Sequence, residues 1–227
     1  MYDQYGVELG LSLNEYVRKV FLWMTLGLVV AAASGYTLVA TSLIRFFFSP
    51  ISMLVLLGCE LFLVFKLSAS LHKLSANTAK VMFIIYSALT GVSIGAVGIA
   101  YGLYTVFLAF AYTSILFGSM ALIGYTTRLD LTRFSSIFFA SLLSLLVVSV
   151  FNLFFHLQGL SMVISYVGII LFSLITAYDI QKMKKIYEMA VDSGEEVERY
   201  AIFSALDLFL DFINIFLYIV RIIGNKD

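Results

Sequence analysis

The chain has 227 residues, of which 62% are hydrophobic and only 12% are charged. Soluble domains are about 45–50% apolar and about 25% charged, so this chain has too little polar surface to fold in water and is predicted to be an integral membrane protein. Its formal net charge is zero, which gives no reason to expect a nucleic-acid partner, and its single cysteine excludes an intrachain disulfide.

Seven segments are long enough to cross a bilayer, since a membrane helix needs about 20 predominantly apolar residues. They cover residues 20–41, 51–67, 80–99, 103–125, 134–156, 160–180 and 201–223. The pattern predicts an all-α membrane protein, with a cytoplasmic N-terminal segment at 1–19 and a single seven-helix transmembrane domain at 20–227. The N-terminus lacks the features of a signal peptide, so the first apolar segment is expected to stay in the mature protein. The charged run QKMKKIYEMAVDSGEEVERY predicts a water-exposed connection between the last two segments.

Basic residues are distributed unevenly between the two sides of the predicted bundle. If the N-terminus is cytoplasmic, all but three of the 14 lysines and arginines fall on the cytoplasmic side; the three are Arg45, Arg221 and Lys226. Cytoplasmic loops carry the excess of these residues, so the N-terminus is predicted to be cytoplasmic. The short loops favour a bacterial inner membrane, with an endoplasmic-reticulum membrane as the alternative.

The third segment contains glycines at helix-face spacing, in the stretch GVSIGAVGIAYG that begins at Gly91. Small residues let helix backbones approach each other closely in lipid. The pattern predicts a packing seam, and a pore-lining or hinge helix is the alternative.

Four carboxyl groups fall within predicted membrane segments, and they are Glu60, Asp179, Asp207 and Asp211. An ionised acid at the bilayer centre costs about 2.5–3.5 kcal/mol on insertion scales, and no lysine or arginine falls at mid-depth in these segments. Such acids must be protonated, share a proton or hold a cation, which makes them sensitive to pH or to cations. The alternative, weighed most for Glu60 and Asp207, is a neutral hydrogen-bonding role between helices.

Asp179 lies near the cytoplasmic end of the sixth segment, and Asp211 lies halfway along the seventh. If the two carboxyl groups meet, they lose their protons in two coupled steps. A protonated pair would stay closed, whereas a deprotonated pair would separate and expose oxygens to a cavity. Calcium prefers 6–8 oxygen ligands, so these aspartates are expected to bind it only weakly, with Glu60 and Asp207 along the ion pathway. No cofactor is expected; calcium and protons enter as transported ions.

Two stretches resemble a known family: TAYDIQKMKKI at 176–186 and ALDLFLDFINIFLYIVRIIGNKD at 205–227. They are similar to the closing signature of the Bax inhibitor-1 (transmembrane Bax inhibitor motif) family in its bacterial form. The resemblance implies six helices wrapped around a central seventh, and a pH-sensitive calcium leak whose proton sensor is Asp179 with Asp211. It also matches Glu60 to the family's acid in the second span.

The sequence departs from this family at one position. In family members an arginine near the cytoplasmic end of the second span can pair with the aspartate of the sixth. Here the corresponding stretch, FKLSASLHKLSANTAK, contains no arginine. Lys73 and His72 are therefore the candidate basic partners.

Three other functions fit parts of the pattern. A regulator that binds another membrane protein, such as a protease or a cell-death factor, is compatible with the resemblance, and a proton-coupled cation exchanger could use the same aspartates. An intramembrane aspartyl protease also needs two facing aspartates. That function is disfavoured, because Leu208-Phe209-Leu210 stands where the protease has glycines, and the only proline is Pro50.

Overall fold

The computed structural model describes residues 11–41, 49–69, 74–155, 157–194 and 196–224. These residues form seven α-helices and one short 3-10 helix, and they contain no β-strand. The α-helices are α1 (Leu13–Ala40), α2 (Pro50–Ala69), α3 (Ala76–Tyr101), α4 (Leu103–Thr126), α5 (Ser135–Phe155), α6 (Gln158–Asp192) and α7 (Val197–Gly224); the 3-10 helix is Leu131–Phe134. The predicted all-α fold is confirmed.

Helices α1 to α6 are each long and apolar enough to cross a membrane. They coincide with the first six predicted segments. Helix α7 coincides with the seventh and has 28 residues, and its assignment as a membrane span remains a prediction. It is also a strongly buried helix: Leu208, Phe209 and Ile215 are fully buried, whereas Leu145 is the one buried residue of α5 among those the structure describes.

Two helices extend further than the hydropathy pattern indicated. Helix α1 begins early because Ser12 and Glu15 form a capping box, in which each side chain accepts a hydrogen bond from the other's backbone. Helix α6 continues to Asp192, so the first part of the predicted connection, residues 181–192, is helical. Lysine, methionine, alanine and glutamate in that stretch are strong helix formers. Gly194, two residues after the end of the helix, has a φ of 65°, which suits glycine.

The described residues of Met1–Ala100 and Met183–Phe209 form one compact unit, and those of Tyr101–Lys182 and Leu210–Asp227 form a second. In the first unit, α1 and α3 pack through glycines: a Cβ atom on Gly91 would collide with the Ala31 backbone, and one on Gly35 with the Gly91 backbone. The predicted packing seam therefore exists at Gly91 and Gly95. Gly102 does not belong to it, because it joins α3 to α4 with a φ of 81°.

The core of the second unit lies where α5 and α6 pack together. Its buried residues are Leu145, Ile164, Leu171 and Ile175, and Phe172 and Tyr218 pack against them. Both Asp179 and Asp211 belong to this unit.

Candidate functional site

Asp179 lies on α6 and is buried, with 8% of its surface exposed. Two contacts fix this part of α6. On α4, Gly124 approaches so closely that a Cβ atom there would collide with the Ala177 backbone. On the other side, the Gln181 amide donates to the Leu129 carbonyl and accepts from the Leu131 backbone N–H, both at 2.8 Å. The backbone around Asp179 is therefore held at both ends of one helical turn.

Asp179 forms an ion pair that the sequence analysis did not anticipate. The Lys182 Nζ lies 3.5 Å from the Asp179 Oδ1, and 37% of the lysine side chain is exposed, against 10% for the aspartate. The basic partner that the structure gives Asp179 is therefore Lys182, a residue that the sequence analysis did not name. The available signal was the spacing, because residues three apart on a helix face each other.

Asp211 lies on α7 and is 3% exposed. The next residue, Phe212, packs against Phe110 and Phe117 of α4, with ring centroids 5.4 and 5.6 Å apart. Asn214 donates its side-chain N–H to the Leu210 carbonyl within the same helix. The helix that carries Asp211 is therefore packed against α4 at the residue that follows it.

The register of α6 and α7 relates the two aspartates. Phe172 on α6 packs against Tyr218 on α7, with ring centroids 6.1 Å apart. Asp179 follows Phe172 by seven residues and Asp211 precedes Tyr218 by seven, which in each helix is two turns, or about 10.5 Å. Helices joined by a short connection run antiparallel. Two residues that lie seven positions from the same interhelical contact, one on each helix, are therefore at the same height along the helix pair and on the facing sides of the two helices. Helical geometry thus predicts that Asp179 and Asp211 face one another.

The remaining predicted site residues lie elsewhere. Glu60 on α2 is half-buried, and the Ser93 hydroxyl of α3 donates to its Oε1 at 2.8 Å. Asp207 on α7 is also half-buried. Both belong to the first unit, not to the unit that contains Asp179 and Asp211. His72 and Lys73 lie outside the described residues, and the serine partner of Glu60 was not predicted from the sequence.

Across the described part of the chain, no three His, Cys, Asp or Glu side chains gather into a group able to hold a metal ion. Two carboxyl groups supply fewer oxygens than calcium requires.

These observations define a helical membrane protein with several apolar spans and carboxyl groups buried inside them. The sequence profile of the family described as "Inhibitor of apoptosis-promoting Bax1" matches residues 13–227. The chain belongs to this family, and the resemblance of its closing motifs to Bax inhibitor-1 proteins is confirmed.

Several relatives match along almost their whole length. The "Inner membrane protein YbhL" of Escherichia coli K12 is 36% identical over 219 residues, which cover 95% of this chain and 93% of the relative. A protein of Borreliella burgdorferi is 35% identical over 94% of this chain and 93% of its own. A membrane protein of Streptococcus pyogenes serotype M1 is 34% identical over 95% of each chain.

Proposed function

We propose that the protein is a pH-sensitive calcium leak channel that is gated by Asp179 and Asp211. One observation carries the proposal: two buried carboxyl groups lie at equal helical distances from the contact between Phe172 and Tyr218. Buried acids in membrane segments mark ion or proton pathways by default. A facing pair of carboxyl groups also changes its mutual interaction when it loses protons.

In the proposed gate, Asp179 pairs with Asp211 in the closed state and with Lys182 in the open state. While the pair holds a proton, the two carboxyl groups share a hydrogen bond and keep α6 and α7 together. Loss of that proton leaves two like charges, which repel each other. Lys182, whose Nζ lies 3.5 Å from the Asp179 Oδ1 and whose side chain is partly exposed, then provides a positive partner for the separated carboxylate. Deprotonation therefore favours the open arrangement, and calcium flux rises with pH.

We assign Glu60 and Asp207 to the ion pathway. Each is a half-buried carboxyl group, and Ser93 donates a hydrogen bond to the Glu60 carboxylate. Two carboxylates supply fewer oxygens than calcium prefers, so calcium can enter and leave.

We place the protein in the bacterial inner membrane with a cytoplasmic N-terminus. Six apolar helices, together with the relative in Escherichia coli that is an inner membrane protein, support the membrane location. The excess of lysine and arginine in the predicted cytoplasmic loops supports the orientation.

Purified protein in liposomes loaded with a calcium-sensitive dye tests this function. Calcium flux should increase as pH rises, and the pH dependence should disappear in Asp179→Asn and in Asp211→Asn. Asp192→Asn, at an exposed position on the last turn of α6, is the matched control and should behave like the wild type.

Other outcomes would identify the alternative functions. Calcium flux through the wild type that does not depend on pH would contradict the proposed proton gate. Flux that requires an opposing proton gradient indicates an exchanger. Cleavage of a membrane substrate that both Asn variants abolish indicates a protease, and absence of flux together with a co-purifying membrane protein indicates a regulator.

A further inference from the structure

The start of α7 is tied to α1 and α3 through one carboxylate. The Glu198 Oε1 lies 2.9 Å from the Lys80 Nζ on α3 and 3.4 Å from the Lys19 Nζ on α1. The side chains of the two lysines are 25% and 33% exposed, and that of Glu198 is 35% exposed. One acid on the first turn of α7 thus bridges two other helices of the same unit.

Neighbouring residues strengthen this connection. The Glu196 side chain accepts a hydrogen bond from the Ala76 backbone N–H at 3.3 Å, at the beginning of α3. The Arg199 guanidinium donates to the Leu74 carbonyl at 3.2 Å. One turn further along α7, the Ser204 hydroxyl lies 2.8 Å from the buried Tyr16 hydroxyl of α1. The start of α7 is therefore held from two directions.

The bridge stays charged across the pH range in which the proposed gate works. A hydrogen bond from Lys80 holds the pKa of Glu198 below its usual value of 4.5, against a smaller opposing effect of burial, and the charges of Lys19 and Lys80 act in the same direction as the hydrogen bond. Near neutral pH, Glu198 is therefore a charged attachment point for the start of α7.

We propose that Glu198 is a positioning residue that holds the N-terminal half of α7 in its packed arrangement and thereby limits ion flux. The half of α7 that it anchors contains Ala201 and Ile202, both fully buried, and the same helix carries Asp207 and Asp211. The consequence for flux rests on the proposed calcium leak, whereas the effect on the helix does not.

Thiol labelling measures the position of α7 without any flux. Cys59 is the single cysteine and is exposed, so Cys59→Ala gives a cysteine-free background in which Ile202→Cys reports on the start of α7. A water-soluble maleimide should label this position slowly while Glu198 is present. Glu198→Gln should accelerate labelling roughly two- to tenfold, because two exposed ion pairs are lost.

Lys80→Gln provides a second test, since it removes the shorter ion pair and leaves the acid in place; it should accelerate labelling in the same direction. Glu188→Gln, at an exposed position on α6, is the matched control and should leave the rate unchanged. Equal labelling in the wild type and in both bridge variants would overturn the proposal.

Flux measured on Glu198→Gln and Lys80→Gln without the labelling substitutions separates the two proposals. Both variants should conduct calcium about two- to tenfold faster than the wild type at the acidic end of the titration. Faster labelling with unchanged flux, in a wild type that conducts, would contradict the link between the bridge and the gate. A wild type without flux refutes the calcium leak, while the labelling rates still decide whether Glu198 positions α7.

Discussion

Asp179 and Lys182, one turn apart on α6, form an ion pair in which Oδ1 and Nζ are 3.5 Å apart. The carboxylate is buried, whereas the ammonium group belongs to a side chain that is 37% exposed. The pair therefore connects a protein interior to water within a single helical turn. An arginine from another helix, as the family resemblance implied, is not needed to supply Asp179 with a positive neighbour.

Lys182→Met should move the pH of half-maximal calcium flux upward. The ammonium group favours the ionised form of Asp179, so a higher pH is needed to open the gate without it. Because the lysine is partly exposed, the expected shift is small. The liposome titration measures it, with Lys66→Met on the exposed side of α2 as control. An unchanged or lower midpoint would show that Lys182 does not assist the open state.

Ser93→Ala should reduce flux about two- to tenfold at a pH where the wild-type gate is open. The serine donates its hydroxyl to Glu60 at 2.8 Å, and hydrogen bonds to charged groups are stronger than those between neutral groups. Loss of that donor disfavours the ionised carboxylate that attracts calcium. Ser114→Ala is the control, since that hydroxyl bonds only to the Phe110 carbonyl of its own helix in the described contacts. If Ser93→Ala and Ser114→Ala conduct calcium equally well, Glu60 is not part of the ion pathway.

Gly91→Ala should destabilise the protein by about 1–3 kcal/mol, as overpacking of a close contact does. The added methyl group would collide with Ser34 and with the Ala31 backbone on α1, and backbone cannot move aside as a flexible side chain can. Thermal unfolding in detergent measures the loss. Gly58→Ala on α2 is the control, because its Cβ would meet nothing within 4 Å; alanine there should stabilise the helix slightly. A melting temperature that Gly91→Ala leaves unchanged would mean that the two helices can separate freely.

The bridge at Glu198 should stabilise the fold in a pH-dependent manner. Its folded-state pKa lies below the usual 4.5 because of the hydrogen bond from Lys80. The stabilisation is therefore fully present above pH 4.5 and is lost as the pH falls through the lower folded value. Melting temperatures of the wild type and of Glu198→Gln should differ slightly near pH 7 and converge in acid, while Glu188→Gln should follow the wild type throughout. If the difference in melting temperature between the wild type and Glu198→Gln stayed the same in acid, the stabilisation would come from packing of the side chain and not from its charge.

Hydropathy and short motifs were sufficient for the class of protein, for six of its apolar helices and for the family. These properties depend on the local sequence, because the bilayer imposes both the length and the apolarity of each span. The hydropathy pattern ended the sixth segment at residue 180, whereas α6 continues as a helix through the charged residues 181–192. Charge excludes a segment from lipid, but it does not prevent helix formation.

Tertiary structure alone decided which carboxyl groups are buried and what they contact. Asp207 and Asp211 are four residues apart, and spacing therefore places them on the same face of α7. Yet Asp211 is buried, while Asp207 is only half-buried. Spacing fixes the direction in which a side chain points, whereas its burial and its partners depend on residues that lie far away in the sequence, such as Ser93 for Glu60.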